Sequence, residues 1–257
     1  MKKLILGILV LALVALAVGG CGGKEEKKAA APAGDKGKVV LKVGATPVPH
    51  AELLNFVKPA LAKEGVDLQV IEFTDYVKPN LSLSDKDRNL KLVVLDKIHI
   101  EPMGIYSRKI KDLKELPEGA KVGIPNDPTN GGRSLMLLEK AGLLKLKEGA
   151  GISATPKDIV GNPKKIQIIE VEAAALPRAL DDTHISVINS NFAMEAKLNP
   201  VKDSLFIEKD SPYANIIAVR AGDEKRPELQ KLAKALKTPE VKKFIEEKYK
   251  GAVIPAF

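Results

Sequence analysis

Residues 123–139 read GIPNDPTNGGRSLMLLE and join a predicted strand to a predicted helix. The β-like run 120–125 breaks into a polar, glycine-rich turn, and a helical pattern follows that carries Arg133 in its predicted first turn. Free N–H groups and the helix dipole make that turn positive, so acidic residues usually favour it. An arginine there is explained if the backbone N–H groups and the guanidinium bind an anion together.

The alternation of strand and helix patterns continues on both sides of this junction. Such alternation predicts an α/β protein with mostly parallel sheets. The part of the chain after residue 38, about 220 residues, is long enough for one large or two small hydrophobic cores. We predict strands at 39–45, 66–73, 90–100, 121–124, 165–171, 185–189, 204–208 and 215–220, and helices at 51–63, 133–140, 173–180, 191–196, 226–237 and 239–249.

Residues 1–20 have the pattern of a secretory signal peptide. Two lysines precede an apolar run from Leu4 to Val18, and small residues follow. The run is near the lower length limit of a membrane span, so an uncleaved anchor is the alternative interpretation.

Cys21 follows these small residues and is the only cysteine, so it has no internal disulfide partner. Residues 18–21, VGGC, resemble a bacterial lipobox, which implies that Cys21 is lipidated and anchors the chain to a membrane. A buried free thiol is the alternative. The rest of 21–38 contains almost nothing that enters a core and is predicted to be a flexible tether. We therefore expect a lipid-anchored protein on the extracytoplasmic side of the cell membrane.

The charge pattern argues against nucleic-acid binding. The net charge is +8, but lysines and arginines are spread along the chain beside acidic residues. Aromatic residues make up only 4% of the chain, and no RNA-recognition signature is present. The excess charge is expected on the solvated surface, with some attraction to anionic lipid.

The sequence shows no catalytic constellation. His50, His99 and His184 are scattered, without a second ligand at metal spacing, so we predict no metal site. GxSxG, HExxH and P-loop motifs are absent, and we expect the pair Asp181-Asp182 to be structural. The prediction is a protein that is not an enzyme and carries no cofactor.

Polar side chains follow the predicted strands, where α/β proteins present ligands. Tyr76 follows the strand 66–73, Arg133 follows 121–124, Asn189 follows the strand at 185, and Asn215 opens the strand at 215. An arginine fork suits a carboxylate, and asparagine amides suit both ends of an amino acid. Each asparagine is also an ordinary turn or cap residue, so this pattern alone predicts only an exported binding protein.

Five motifs are more specific than this pattern. The chain resembles the NLPA lipoproteins, the methionine-binding components of bacterial ABC importers, in which these motifs recur in the same order. They are FTDYVKPN (73–80), IPNDPTNGGRSL (124–135), LPRALDD (176–182), VINSNFA (187–193) and DSPYAN (210–215).

The resemblance implies a two-lobed, periplasmic-binding-protein-like (type II) α/β fold with the ligand in the cleft. Lobe 1 would comprise 39–104 plus 212–257, and lobe 2 would comprise 105–211. The ligand would be L-methionine or a related small amino acid, delivered to an ABC permease. In site terms, Arg133 would bind its carboxylate, Asn189 and Asn215 its polar head, and Tyr76 would line the side-chain pocket.

The chain departs from the family pattern after Asn80. About twenty family residues are missing there, which normally supply a central strand and much of the aromatic pocket around the methionine side chain. The loss of two or three aromatic contacts is expected to remove several kcal/mol of affinity. The alternative is therefore a surface interaction protein that has lost high-affinity amino-acid binding, and a third possibility is an exported enzyme of similar fold.

Overall fold

Strands and helices alternate along the residues that the computed structural model describes, 37–83, 91–209 and 211–257. The strands are β1 (Val39–Ala45), β2 (Val66–Glu72), β3 (Leu92–Ile100), β4 (Gly104–Tyr106), β5 (Lys121–Pro125), β6 (Lys145–Leu146), β7 (Ile159–Gly161), β8 (Gln167–Val171), β9 (Ile185–Ile188), β10 (Phe206–Ile207), β11 (Ala214–Arg220) and β12 (Ile254–Pro255). The α-helices are α1 (Glu52–Lys63), α2 (Lys78–Leu83), α3 (Pro128–Lys140), α4 (Leu176–Ala179), α5 (Ser190–Glu195), α6 (Pro227–Ala235) and α7 (Pro239–Tyr249).

The predicted signal peptide at 1–20, Cys21 and the tether as far as residue 36 lie outside the described residues. Within the described ranges, no helix is both long enough and apolar enough to cross a membrane.

The largest sheet contains five strands in the order β10-β4-β9-β5-β8. Its centre is strongly apolar, and all four residues of β9 are buried. β5 runs parallel to β8 and β9, because helical crossovers connect these strands, whereas β4 is antiparallel to β9 and β10. A hydrophobic core built from residues between Met103 and Val187 packs on this sheet, and it is called the second core because an earlier part of the chain begins another.

A first core lies under two smaller sheets. The parallel pair β1-β2 and the antiparallel sheet β11-β3-β12 both contribute to it, with α1, α6 and α7. No backbone ladder joins the two sheets among the described residues. On α1, Leu53, Leu54, Val57 and Leu61 are buried, which is the spacing of one helix face.

The predicted α/β class is confirmed, and β1 and α7 have the bounds that the sequence predicted. The expectation of mostly parallel sheets is wrong, because antiparallel pairs outnumber parallel ones among the described strands. β4 and β11 are each reached from a strand of another sheet, so no strand-helix-strand crossover constrains either of them to run parallel to its neighbours.

The start of α3 also differs from the prediction. The helix begins at Pro128 rather than at Arg133, because the Asp127 carboxylate accepts a hydrogen bond from Asn130 N at 2.9 Å and caps it. Arg133 therefore lies in the second turn, and the free N–H groups are one turn away from it. The N-terminus has the usual acidic cap after all.

Gly132 sets how closely α3 approaches the following loop. A Cβ built on Gly132 would lie 1.9 Å from the carbonyl oxygen of Ile152, whereas one on Gly131 would lie 3.1 Å from that of Pro125. The first distance is a backbone clash that side-chain rotation does not relieve. Gly132 thus allows the packing that places the next residue, Arg133.

We expect Gly132→Ala to lower the free energy of unfolding by about 3 kcal/mol or more, since α3 or the loop must move. Gly131→Ala, one residue away on the same helix, is the matched control and should cost about 1 kcal/mol or less. Urea unfolding followed by circular dichroism measures both. Equal effects of the two substitutions would contradict the close approach at Gly132.

Candidate functional site

The four ligand-binding residues predicted from the sequence line one cavity of about 400 Å³. Tyr76 lies in the turn after β2, and Arg133 projects from α3. Asn189 is the residue before α5, and Asn215 lies on β11. Strand ends and helix starts therefore bring together residues that are up to 139 positions apart in the chain. The roles assigned to these residues stay predictions.

Arg133 is buried and already has an anionic partner, which is Glu208. Its Nε donates to Glu208 Oε1 at 3.1 Å, and its Nη2 donates to Glu208 Oε2. Nη2 also donates to the carbonyl oxygen of Glu101 at 2.8 Å, and the ring of Tyr213 lies 5.0 Å from Cζ. Among the described residues, Nη1 has no hydrogen-bond acceptor, so this nitrogen is the one left for a ligand.

Glu208 was not singled out from the sequence. It lies just after β10, and its Oε2 also accepts from Met103 N at 3.2 Å. The pairing with Arg133 is long-range, so no local pattern indicates it. The prediction of a bound anion assumed that Arg133 lies in the first helical turn; Arg133 lies in the second turn, and the anion it contacts is a side chain of the protein.

Asparagine side chains at the cavity wall have unused hydrogen-bonding capacity. Asn189 Nδ2 donates to Asn130 Oδ1 at 2.9 Å, but the buried Asn189 Oδ1 has no partner among the residues that the structure describes. Tyr76 Oη donates to Asn191 Oδ1 at 2.6 Å, while the buried Asn191 Nδ2 has no partner in the same described ranges. Buried polar atoms without partners are costly, which indicates that a polar ligand or water completes them.

A second polar cluster, formed by His50, His99, Glu101 and Asn215, lies at the same cavity. Glu101 Oε1 accepts from Asn215 Nδ2 at 3.0 Å and from His99 Nε2 at 2.9 Å, and His50 Nε2 is 3.1 Å away. The prediction that the histidines are scattered, without a second ligand at metal spacing, is wrong for His50 and His99, which converge on Glu101. His99 lies in β3 and Glu101 directly follows its end, and this spacing of two residues along an extended chain was a signal for part of the cluster.

The protonation of this cluster follows from burial and mutual charge. Burial disfavours ionisation of Glu101, but the charge of His50 and hydrogen bonds from both histidines outweigh it and hold the pKa of the Glu101 carboxyl well below its ordinary value. Burial also opposes a charge on His50, yet Glu101 raises the pKa of His50 above its ordinary value. Burial lowers the pKa of His99. The cluster therefore keeps a carboxylate at the cavity wall.

Few of the described side chains that line the cavity are apolar. Tyr76 and Val77 are its main apolar side chains among the described lining residues, and Tyr76 packs on Phe192 with ring centroids 5.0 Å apart. The other lining residues carry amide, hydroxyl, imidazole, carboxylate or guanidinium groups. The geometry therefore suits the charged head of a small ligand better than a long apolar tail.

Comparisons with known proteins agree with this architecture. The family profile described as NlpA lipoprotein matches residues 41–88 and 81–257. A relative named probable D-methionine-binding lipoprotein MetQ, from Vibrio cholerae, is 39% identical over 276 aligned positions, which cover 99% of each chain.

Two solved structures are similar in both sequence and fold. The nutrient-binding protein from Burkholderia cenocepacia bound to methionine is 43% identical, with a TM-score of 0.79 over 85% of this chain and 100% of that one. The ABC transporter periplasmic substrate-binding protein from Coxiella burnetii is 39% identical, with a TM-score of 0.79 over 84% of this chain and 100% of that one.

The Arg133–Glu208 pair should contribute to stability in proportion to its burial. Glu208→Gln leaves a buried guanidinium without a counter-charge, so we expect the free energy of unfolding to fall by about 3 kcal/mol or more. The exposed pair Arg108–Asp181 is the matched control, and Asp181→Asn should cost about 1 kcal/mol or less. Chemical unfolding at neutral pH measures both, and similar losses in the two variants would show that burial of the pair has no effect.

Proposed function

This chain is a member of the NlpA lipoprotein family, and from that premise we propose that it is a membrane-tethered solute-binding protein that captures methionine, or a related small amino acid, and delivers it to an ABC permease. The family that five motifs indicated is thereby confirmed. The fold is the α/β, two-lobed fold of periplasmic substrate-binding proteins.

One observation carries the choice of ligand: the cavity presents a cation and an anion at the same time. Arg133 Nη1 is available to a carboxylate, and the ionised Glu101 is available to an ammonium group. Asn189 Oδ1 and Asn191 Nδ2 add one unused acceptor and one unused donor. An α-amino acid carries the complementary groups on one carbon atom, and charge-assisted hydrogen bonds to them are the strong ones.

In this proposal Arg133 binds the ligand carboxylate through Nη1 while Glu208 holds the rest of its guanidinium in place. Asn189 and Asn215 orient the polar head, and Tyr76 lines the space for the side chain. Glu101, which the sequence analysis did not name, receives the ammonium group. The paired Glu208 reduces the net charge at Arg133. Recognition of the ligand carboxylate therefore rests on the direction of the free N–H groups as well as on charge.

We also propose the lobes 39–104 plus 212–257 and 105–211, with closure around the ligand as the event that a permease recognises. The division of buried residues supports this: the first core draws on Leu41–Ile98 and Val219–Val253, and the second on Met103–Val187.

The relatives are named lipoproteins, which supports lipid anchoring of this chain through Cys21 on the extracytoplasmic side of the membrane. They are also named as binding proteins rather than as enzymes. We propose that this chain is likewise a binding protein, which delivers its ligand without catalytic turnover and does not bind nucleic acid.

A surface interaction protein of the same fold is the second candidate, and a specific observation favours it. The family profile matches in two pieces that overlap at 81–88, and the alignment to the Vibrio cholerae relative is about twenty positions longer than this chain. This supports the predicted loss of a pocket segment after Asn80. The few apolar side chains at the cavity agree with weak retention of a thioether side chain.

Calorimetric titration of the ligand-stripped protein with L- and D-methionine tests the proposal. Micromolar or tighter binding is expected, with compaction in small-angle scattering. The variant Arg133→Met with Glu208→Gln, which removes the guanidinium without leaving a buried charge, should bind at least tenfold more weakly, since a charged hydrogen bond contributes about 1.5–3 kcal/mol.

Glu208→Gln alone keeps Arg133 and is the matched control, which should still bind. Binding that survives in the double variant would refute the carboxylate role of Arg133. A folded parent protein that neither binds nor compacts with any amino acid would overturn the transport proposal and leave the interaction protein.

A further inference from the structure

Three side chains with metal-binding atoms converge at the wall of the cavity. One donor atom from each of His50, His99 and Glu101 lies within 4.8 Å of the others. Both imidazoles present Nε2 to the same carboxylate oxygen, Glu101 Oε1, at 3.1 and 2.9 Å. Asn215 Oδ1 lies 3.1 Å from His50 Nε2 and adds a further oxygen on the same side.

These distances are close to those of a tetrahedral site. Zinc binds imidazole nitrogen at about 2.0–2.1 Å, so ligand atoms in a tetrahedron are about 3.3 Å apart. The two nitrogen–oxygen separations of 3.1 and 2.9 Å have to widen by only a few tenths of an ångström around an inserted ion. Two imidazoles and one carboxylate are also a ligand set that zinc uses where the fourth position stays open to solvent.

The surroundings orient His50 as a metal ligand better than they orient His99. His50 Nδ1 is 2.6 Å from Thr46 Oγ1, which fixes the ring and directs Nε2 to the site. His99 Nδ1 is buried and has no partner among the described residues. With an ion on Nε2, His99 must carry its proton on that unpartnered nitrogen, and an incomplete outer shell typically lowers metal affinity about 10–100-fold.

Access and charge are both suitable. His50 keeps 23% of its side chain exposed, and His50 and Glu101 both line the cavity, so an ion reaches the site through it. One carboxylate with two neutral imidazoles has a charge of −1. This charge suits a divalent cation whose fourth ligand is a small neutral oxygen donor. Soft metal ions such as Cu⁺ prefer sulfur ligands, so a set of carboxylate and imidazole ligands does not select them.

We propose that His50, His99 and Glu101 bind a divalent transition-metal ion, with Zn²⁺ as the best match and Asn215 or water in the fourth position. The ion replaces the two N–H···O contacts to Glu101 by nitrogen–metal bonds, and each imidazole is bound as its Nδ1–H tautomer. This site shares Glu101 and Asn215 with the proposed amino-acid pocket, but its ligand set is complete without an amino acid, so a titration with metal alone tests it separately.

Titration with metal alone tests the proposal. The full-length protein is purified in mild detergent, treated with a chelator and dialysed, and ZnCl₂ is added in a calorimeter. We expect one site with micromolar affinity. Co²⁺ provides an independent signature, because tetrahedral coordination by nitrogen and oxygen gives visible absorption bands that Zn²⁺ then removes.

His50→Gln and His99→Gln should each lower the affinity at least 100-fold and remove the Co²⁺ bands. His184→Gln is the matched control, because His184 lies outside the cluster and should leave binding unchanged. His50 is the more exposed of the two ligands, so its variant is expected to fold even where that of His99 does not. No binding by the folded parent protein, or binding that His50→Gln leaves unchanged, would overturn the proposal.

Discussion

The buried pairing of Arg133 with Glu208 is the interaction on which the geometry of the cavity depends. It connects α3 to the segment after β10, and a hydrogen bond to the carbonyl oxygen of Glu101 connects both to the end of β3. Burial of two charges is costly, and their attraction offsets that cost only when further hydrogen bonds satisfy them. Here Met103 N and Ser211 supply some of these bonds, so three distant segments are held in one arrangement.

The Glu101 carboxylate has a corresponding role in the neighbouring polar cluster at the same cavity. One of its oxygens accepts from the side chains of Asn215 and His99 and contacts His50, and these come from three separate parts of the chain. The carboxylate stays ionised because these donors replace the water that burial removes. The cavity wall therefore carries both a positive group, the Arg133 guanidinium, and a negative group, the Glu101 carboxylate, and these come from different parts of the chain.

Much of this architecture follows from local patterns. Hydrophobic periodicity gave the bounds of β1 and α7, and the rule that ligands bind at strand ends gave Arg133, Asn189 and Asn215 as neighbours of one cavity. The error at α3 was local too, because Asp127 and Pro128 form a cap-and-first-turn signal that outweighs the later apolar pattern.

Other features depend on long-range pairing, and no window of sequence contains them. Glu208 is 75 residues from Arg133, and His50 is 49 residues from His99. Strand direction within the sheets has the same origin, since it is set by the path of the chain between strands. Family resemblance supplied the two-lobed fold, and the histidine–glutamate cluster was outside the motifs that carried the resemblance.

The placement of β3 has a consequence for the order of folding. Both of its neighbours, β11 and β12, come from the last 44 residues of the chain, and the first core is completed only by residues up to Val253. During synthesis the chain emerges from its N-terminus, so more than 110 further residues have to follow β3 before a partner strand exists. The sheet around β4, β5, β8 and β9 is complete much earlier and closes shorter loops. The core that contains the earliest strands is thus the last to be completed, and β3 stays without a partner strand until then.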